Sequence, residues 1–290
     1  MQPNRPLSRK AAAAVICFAA LVGLAIPTSA YAETTLQRAQ REGVLRIGFA
    51  NEPPWGFMKP DGTLTGESPE ILKALAGSLG VKRIEGVLVE FGSLIPGLQA
   101  QRFDVIATAL YIRPARCTQV AFTNPTVAVG MGLLVQKGNP LGLHSYEDIA
   151  HKGAARIALV TGTTDLQYAH DAGVSDDRIV QVGDNASELE ALRSGRADAI
   201  SGTGPTVQLL LDRTNGEFER ALPFPKTAST TGYGAFAVRK EDGDLLNALN
   251  KQLASFIGTQ AHLDLVKPFG VSEEEIPAKD ATADKICGAK

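Results

Sequence analysis

The sequence predicts an α/β protein built as two lobes, and three observations carry that reading. Short apolar runs of strand length alternate with amphipathic stretches of helical period from residue 44 to residue 212, the pattern of mainly parallel sheets. Two extended, Gly-containing segments, Val127 to Val135 and Tyr233 to Val238, interrupt the alternation. They are the expected crossovers by which the chain leaves lobe 1, builds lobe 2 and returns. The composition is that of a globular protein: 290 residues, 44% hydrophobic and 21% charged, enough for one large domain or two ordinary ones.

The first 32 residues stand apart from this pattern. Arg5, Arg9 and Lys10 precede an uncharged apolar stretch of 16 residues, Ala11 to Ile26, broken by Pro27 and followed by Ala30-Tyr31-Ala32. A transmembrane helix needs about 20 residues, so the stretch is short for a span. A basic start, a short apolar centre and small residues before a cut are the marks of a secretory signal peptide, with cleavage expected after Ala32. Cys17 follows Val15-Ile16 rather than a small residue, so it reads as part of the apolar run and not as a lipid-bearing cysteine.

The elements follow in order. Val44 to Phe49 reads as a buried strand. Ser68 to Leu79 places Ile71, Leu72, Leu75 and Leu79 at helical spacing and stops at Gly80. Gly86 to Phe91 alternates as a strand, Ser93 to Ala100 is a short helix, and Asp104 to Thr108 is a buried strand. The second series runs strand 156–160, helix 164–172, strand 179–182, helix 186–193, strand 197–200 and helix 206–212. A long helical pattern, Leu245 to Ile257, follows the second crossover. The boundaries expected are 33–133 with 233–290 for lobe 1, and 134–232 for lobe 2.

Several function classes are excluded or disfavoured. With 29 basic and 31 acidic side chains, loss of a leader holding three basic and no acidic groups leaves 26 against 31, a net of −5. Nothing there attracts nucleic acid. Three cysteines are too few for a Cys-based zinc module, and His144, His151, His170 and His262 lack metal-ligand spacing. No P-loop or Gly-x-Ser-x-Gly motif is present. No metal and no cofactor are expected. Glu188 and Glu190 read as decoration of a surface helix, and Glu273-Glu274-Glu275 as a solvated helix start.

Ligands of open α/β sheets bind beyond the carboxyl ends of the strands. Those ends carry Glu52 and Trp55, then Phe91, then Ala109, Tyr111 and Ile112 with Arg116 just beyond, then Gly162-Thr163-Thr164, then Thr203. Only 6% of the chain is aromatic, yet three lobe-1 strand ends hold a ring, which suits a delocalised organic cation. A core role for one or more of these rings is the plainer alternative. Arg116 offers a guanidinium fork to a carboxylate, or an ordinary surface ion pair. Gly162-Thr163-Thr164 opens a helix whose free N–H groups take a carboxylate oxygen, or simply caps it.

The chain resembles solute-binding proteins of ABC importers, in the polar amino-acid-binding family, over nearly all of residues 40–276. The resemblance rests on Leu45-Arg46-Ile47-Gly48-Phe49, Ser93-Leu94-Ile95-Pro96-Gly97-Leu98, Arg102-Phe103-Asp104-Val105, Arg113-Pro114-Ala115-Arg116, Ala121-Phe122-Thr123-Asn124-Pro125, Gly162-Thr163-Thr164 and Gly195-Arg196-Ala197-Asp198-Ala199. It implies a type II periplasmic-binding-protein fold: two α/β lobes, two hinge strands and a ligand cleft between the lobes. It also implies that Arg116 and Thr164 hold a ligand carboxylate. Amino-acid binders of the family usually carry Asp at the position of Thr203, and often small hydroxyl residues at Ala109 and Tyr111. Those departures imply a ligand that keeps a carboxylate and lacks an ordinary primary ammonium.

Within the family, Asn51-Glu52-Pro53-Pro54-Trp55, Glu85 to Leu98, His144 to Asp148, Gly232 to Phe236 and Phe256 to Thr259 are similar to ectoine/hydroxyectoine-binding proteins. Ectoine is a cyclic amidinium carboxylate. That resemblance assigns Trp55, Phe91 and Tyr111 to an aromatic box, Glu52 to the ring N–H edge, and Arg116 with Thr164 to the carboxylate. Ala109, Ile112 and Thr203 complete the expected ligand-binding set. The implied protein is a periplasmic, monomeric, non-enzymatic receptor that delivers its small-molecule ligand to a transmembrane permease. A binder of another polar amino acid or a betaine, and a periplasmic cyclohexadienyl dehydratase on the same fold, are the alternatives. Cys117 and Cys287 sit in an exported chain that permits disulfides. A bridge would fasten the C-terminal tail to lobe 1; two free thiols are the other possibility.

Overall fold

The computed structural model describes residues 32–224 and 231–288. The expected signal peptide lies outside the described residues except for Ala32. Among the described residues twelve strands form: β1 Val44–Phe49, β2 Phe57–Met58, β3 Leu64–Thr65, β4 Arg83–Leu88, β5 Val105–Tyr111, β6 Ala121–Phe122, β7 Val127–Gln136, β8 Ile157–Val160, β9 Ile179–Val182, β10 Ala199–Thr203, β11 Phe218–Arg220 and β12 Thr231–Val238. All but the β2–β3 hairpin join one path in the order β4-β1-β5-β12-β7-β10-β8-β9, with β11 beside β7 and β6 beside β12.

The path is mixed where the sequence predicts mainly parallel sheets. Each outer portion is parallel: β1 with β4 and β5, and β8 with β9 and β10. These pairs are linked through helices, as parallel neighbours must be. The centre is antiparallel, because the two crossovers run side by side in opposite directions, from Thr231↔Gly130 to Gly234↔Val127. Beyond them β12 pairs β5, and β7 pairs β10. The fold is thus the two-lobed type II arrangement, with β7 and β12 as its hinge strands.

The cores explain the alternation of elements. Leu45, Ile47, Phe49, Ile71, Leu72, Val105 and Phe236 are fully buried in the first half, and Leu133, Leu134, Ile157, Leu159, Ala199 and Ile200 in the second. Asp104 enters β5 fully buried, accepting from the Arg46 backbone N–H at 2.9 Å and its Nη2 at 3.0 Å, which ties β5 to β1. Asp184 caps the helix Asn185–Arg193, and Thr203 caps Gly204–Asp212, through side-chain oxygens that accept from backbone N–H groups.

Some boundaries differ from expectation, for local reasons. β4 ends at Leu88, and Phe91 opens a short 3-10 turn, Phe91–Ser93, instead of closing a strand. β5 runs on through Tyr111, because pairing with β12 continues the ladder past Thr108. The helix after β3 breaks at Ala76 and continues as a 3-10 turn, Gly77–Leu79. Cys117 and Cys287 form a disulfide, with 5.9 Å between their Cα atoms. It fastens the helix Ala283–Cys287 to the four-residue helix Pro114–Cys117. No helix among the described residues is long and apolar enough to cross a membrane.

Candidate functional site

Eight of the nine expected residues line one cavity of about 60 Å³: Glu52, Trp55, Phe91, Ala109, Tyr111, Arg116, Thr164 and Thr203. The ninth, Ile112, does not. Its side chain is buried in a separate apolar cluster with Val120, Phe122 and the disulfide half-cystines, because alternation along β5 turns it away from Tyr111.

Each lobe supplies its residues from strand ends. Glu52 and Trp55 follow β1 in a tight turn where the Trp55 backbone N–H donates to the Glu52 carbonyl at 2.8 Å. Tyr111 ends β5, and its ring lies flat over the hinge: a Cβ on Gly232 would fall 1.8 Å from a ring carbon. Glycine is therefore required on the return strand for Tyr111 to face the cavity. Ala109 adopts φ 49°, which a non-glycine residue seldom does, and its N–H is held by the Ser68 hydroxyl at 2.9 Å. That irregularity turns the strand beside the cavity.

Arg116 projects from the helix Pro114–Cys117. Its guanidinium donates to the Tyr111 carbonyl and, across the cleft, to the Gly162 carbonyl, both at 2.9 Å, and stands 5.7 Å from the Phe91 ring centroid. Burial, with Arg113 nearby, lowers its pKa to about 10, so it stays charged at neutral pH. Arg113 spans the cleft too, donating to the Tyr168 hydroxyl. Gly162 approaches the opposite lobe so closely that a Cβ there would lie 2.8 Å from the Gly92 Cα, and its φ is 86°. The lobes are in a closed arrangement. Thr164 precedes the helix Asp165–Asp171 and makes no side-chain capping bond to it.

The cavity also gathers three buried carboxyl groups, Glu52, Asp165 and Glu188. Glu52 is buried, and desolvation, reinforced by Asp165, raises its pKa to about 8 despite the opposing pull of Arg116. Asp165 is buried and raised by desolvation, although hydroxyls of Ser201 and Tyr146 donate to it. Glu188 is also buried and lines the cavity, its pKa pushed well up by desolvation. This corrects the surface role expected for it; Glu190 alone is exposed. The signal was in the helix period: Glu188 shares a face with Ala191 and Leu192, both fully buried. Asp165 was in plain view directly after Thr164. Asn185, Thr163, Ser201, Thr206, Thr108 and Met131 also line the cavity. The Thr108 hydroxyl and the Asn185 side-chain oxygen are buried with no hydrogen-bond partner among the described residues. Among those residues, no cluster of His, Cys, Asp or Glu is arranged to hold a metal ion.

Such a cavity can hold a small molecule by one carboxylate at Arg116 and Thr164, by ring faces at Trp55, Phe91 and Tyr111, and by N–H groups at Glu52 and Asp165. Comparison with known proteins agrees with a binding role. Residues 45–269 match the model of the bacterial extracellular solute-binding proteins, family 3. A probable amino-acid ABC transporter periplasmic-binding protein of Sinorhizobium fredii is 34% identical over 276 residues, covering 93% of this chain and 91% of its own. Among solved structures, EhuB in complex with hydroxyectoine superposes with a TM-score of 0.80 at 34% identity, covering 89% of this chain and 99% of its own. The ancestral amino-acid-binding protein AncCDT-1, a precursor of cyclohexadienyl dehydratase, gives 0.71 at 29% identity, covering 81% and 99%. The chain is an extracytoplasmic receptor for amino acids or related solutes that serves an ABC permease, and it belongs to the bacterial extracellular solute-binding proteins, family 3.

Proposed function

We propose that the receptor takes ectoine or hydroxyectoine and hands it to the permease. One observation supports the reading: a single cavity gathers three aromatic rings, three buried carboxyl groups and one guanidinium. That set complements a ligand with one carboxylate and one delocalised ring cation. Trp55, Phe91 and Tyr111 offer ring faces to an amidinium, worth roughly 0.5–2 kcal/mol per contact. Glu52 and Asp165 offer an acceptor to each ring N–H. Arg116 and the Thr163-Thr164 turn take the carboxylate. A solved relative bound to hydroxyectoine supports the same chemistry.

We further propose lobe boundaries of 33–133 with 233–290, and 134–232, release by cleavage after Ala32, a periplasmic monomer, and no turnover of the ligand. A second reading is a binder of another polar amino acid, favoured by the description of the S. fredii relative. Calorimetric titration of the mature protein with ectoine, hydroxyectoine, glycine betaine, proline and common amino acids separates the two. Saturation by ectoine or hydroxyectoine alone is expected; saturation by an α-amino acid and silence with ectoine selects the second. Incubation with prephenate or arogenate should leave both unchanged.

A further inference from the structure

Trp55 does more at this site than present a ring. Its indole Nε1 lies 3.1 Å from the Thr203 Oγ1 and 3.1 Å from the Thr206 Oγ1, both on the opposite lobe. An indole N–H donates only, so the two hydroxyls share it as acceptors. The two oxygens are 2.8 Å apart, and Thr203 Oγ1 also accepts the Thr206 backbone N–H at 3.2 Å. With its lone pairs occupied by Trp55 and the Thr206 N–H, Thr203 Oγ1 has only its own hydrogen left, and that is directed to Thr206. Trp55 and Thr206 are both buried, so water does not compete for these groups.

We propose that Trp55, Thr203 and Thr206 form a latch that closes the cleft without ligand and fixes the indole plane before the ligand arrives. This reassigns Thr203, expected to touch ligand, to a positioning role. The proposal rests on the cavity being the ligand site, but the latch belongs to the protein alone. It lowers the closing free energy that the ligand must supply, and so acts on affinity through the closed population.

The test is single-molecule energy transfer between dyes on cysteines introduced at the exposed positions Leu88 and Asp177; the native pair Cys117 and Cys287 is in a disulfide and does not label. Without ligand, wild type should show a closed population. W55F, which keeps a ring face and loses the donor, and T206V, which keeps the shape and loses the hydroxyl, should each lower the closed-to-open ratio about three- to tenfold, the worth of a neutral hydrogen bond formed on closure. T206S should retain it, and the W55F/T206V double variant should be no more open than the worse single. A wild type with no closed population, unchanged ratios in both single variants, or a double variant equal to the product of the singles would overturn the latch. Adding ectoine then tests the ligand separately: a ligand-free closed population that ectoine does not increase keeps the latch and removes ectoine.

Discussion

Replacing Glu52 by glutamine should abolish most of a pH dependence that the wild type displays. In the ligand-free protein the Glu52 carboxyl has a pKa of about 8, so it is neutral at pH 6 and half ionised at pH 8. A cationic ring N–H is best served by the carboxylate, so binding must expel the proton below pH 8. Each unit below costs about 1.4 kcal/mol, or tenfold in affinity. Affinity for ectoine should therefore rise up to about a hundredfold from pH 6 to pH 8, then level off, since the ligand keeps its charge throughout. Asp165, also raised by burial, acts in the same direction. E52Q should bind about ten- to a hundredfold more weakly at pH 8, the worth of a hydrogen bond to a charged group, and should lose less at pH 6, where wild-type Glu52 is already neutral. Calorimetry at pH 6, 7 and 8 in two buffers of different ionisation enthalpy reads both affinity and protons released. Wild-type affinity independent of pH with no proton release, or an E52Q variant that keeps the full slope, would refute the role given to Glu52.

Arg116→Ala should weaken ligand binding at least a hundredfold, since it removes a charge-assisted pair with the carboxylate and the bond to Gly162 across the cleft; an unchanged dissociation constant would take Arg116 out of the site. Gly162→Ala places a Cβ against Gly92 at a backbone φ that alanine resists, so scattering should show a larger radius at saturating ligand and affinity should fall; a wild-type profile would mean the lobes do not meet there. Removing the disulfide as the C117A/C287A pair should cost about 2–4 kcal/mol in chemical unfolding and weaken binding severalfold, because the bridge holds the short helix that carries Arg116; equal stability and affinity would leave it a mere tail fastener.

Much of this was legible in the residues themselves, and the exceptions have physical causes. Ile157–Val160 is a continuous apolar run because both faces are covered, and Val44–Phe49 is one but for Arg46 and Gly48; the carboxyl ends of such strands pointed to Glu52, Trp55, Tyr111 and Thr164. The hinge was visible as extended segments, but its antiparallel pairing depends on long-range register that no local pattern encodes. Phe91 read as a strand end because alternation does not reveal that a Gly-Ser pair will turn the chain into a 3-10 turn. Ile112 was grouped with its neighbour Tyr111, although successive strand residues face opposite ways. Glu188 and Asp165 were missed as site residues for one reason: the pull of hydration places a carboxylate outside by default, and only the assembled cavity shows why it is worth burying. Thr203 lines the cavity, but its partner there, the Trp55 indole, is 148 residues distant in sequence, beyond the reach of any local pattern.

The central claim is that this cavity is built for a ring cation bearing one carboxylate. The most direct measurement is calorimetric competition on the mature protein, with ectoine or hydroxyectoine as titrant against arginine, glutamine, cystine and an uncharged cyclic carboxylate of similar shape. The account predicts saturable one-to-one binding of ectoine or hydroxyectoine that neither the amino acids nor the neutral ring displaces. Displacement by the neutral ring, or tight binding of an α-amino acid with no heat from either ectoine, would contradict it.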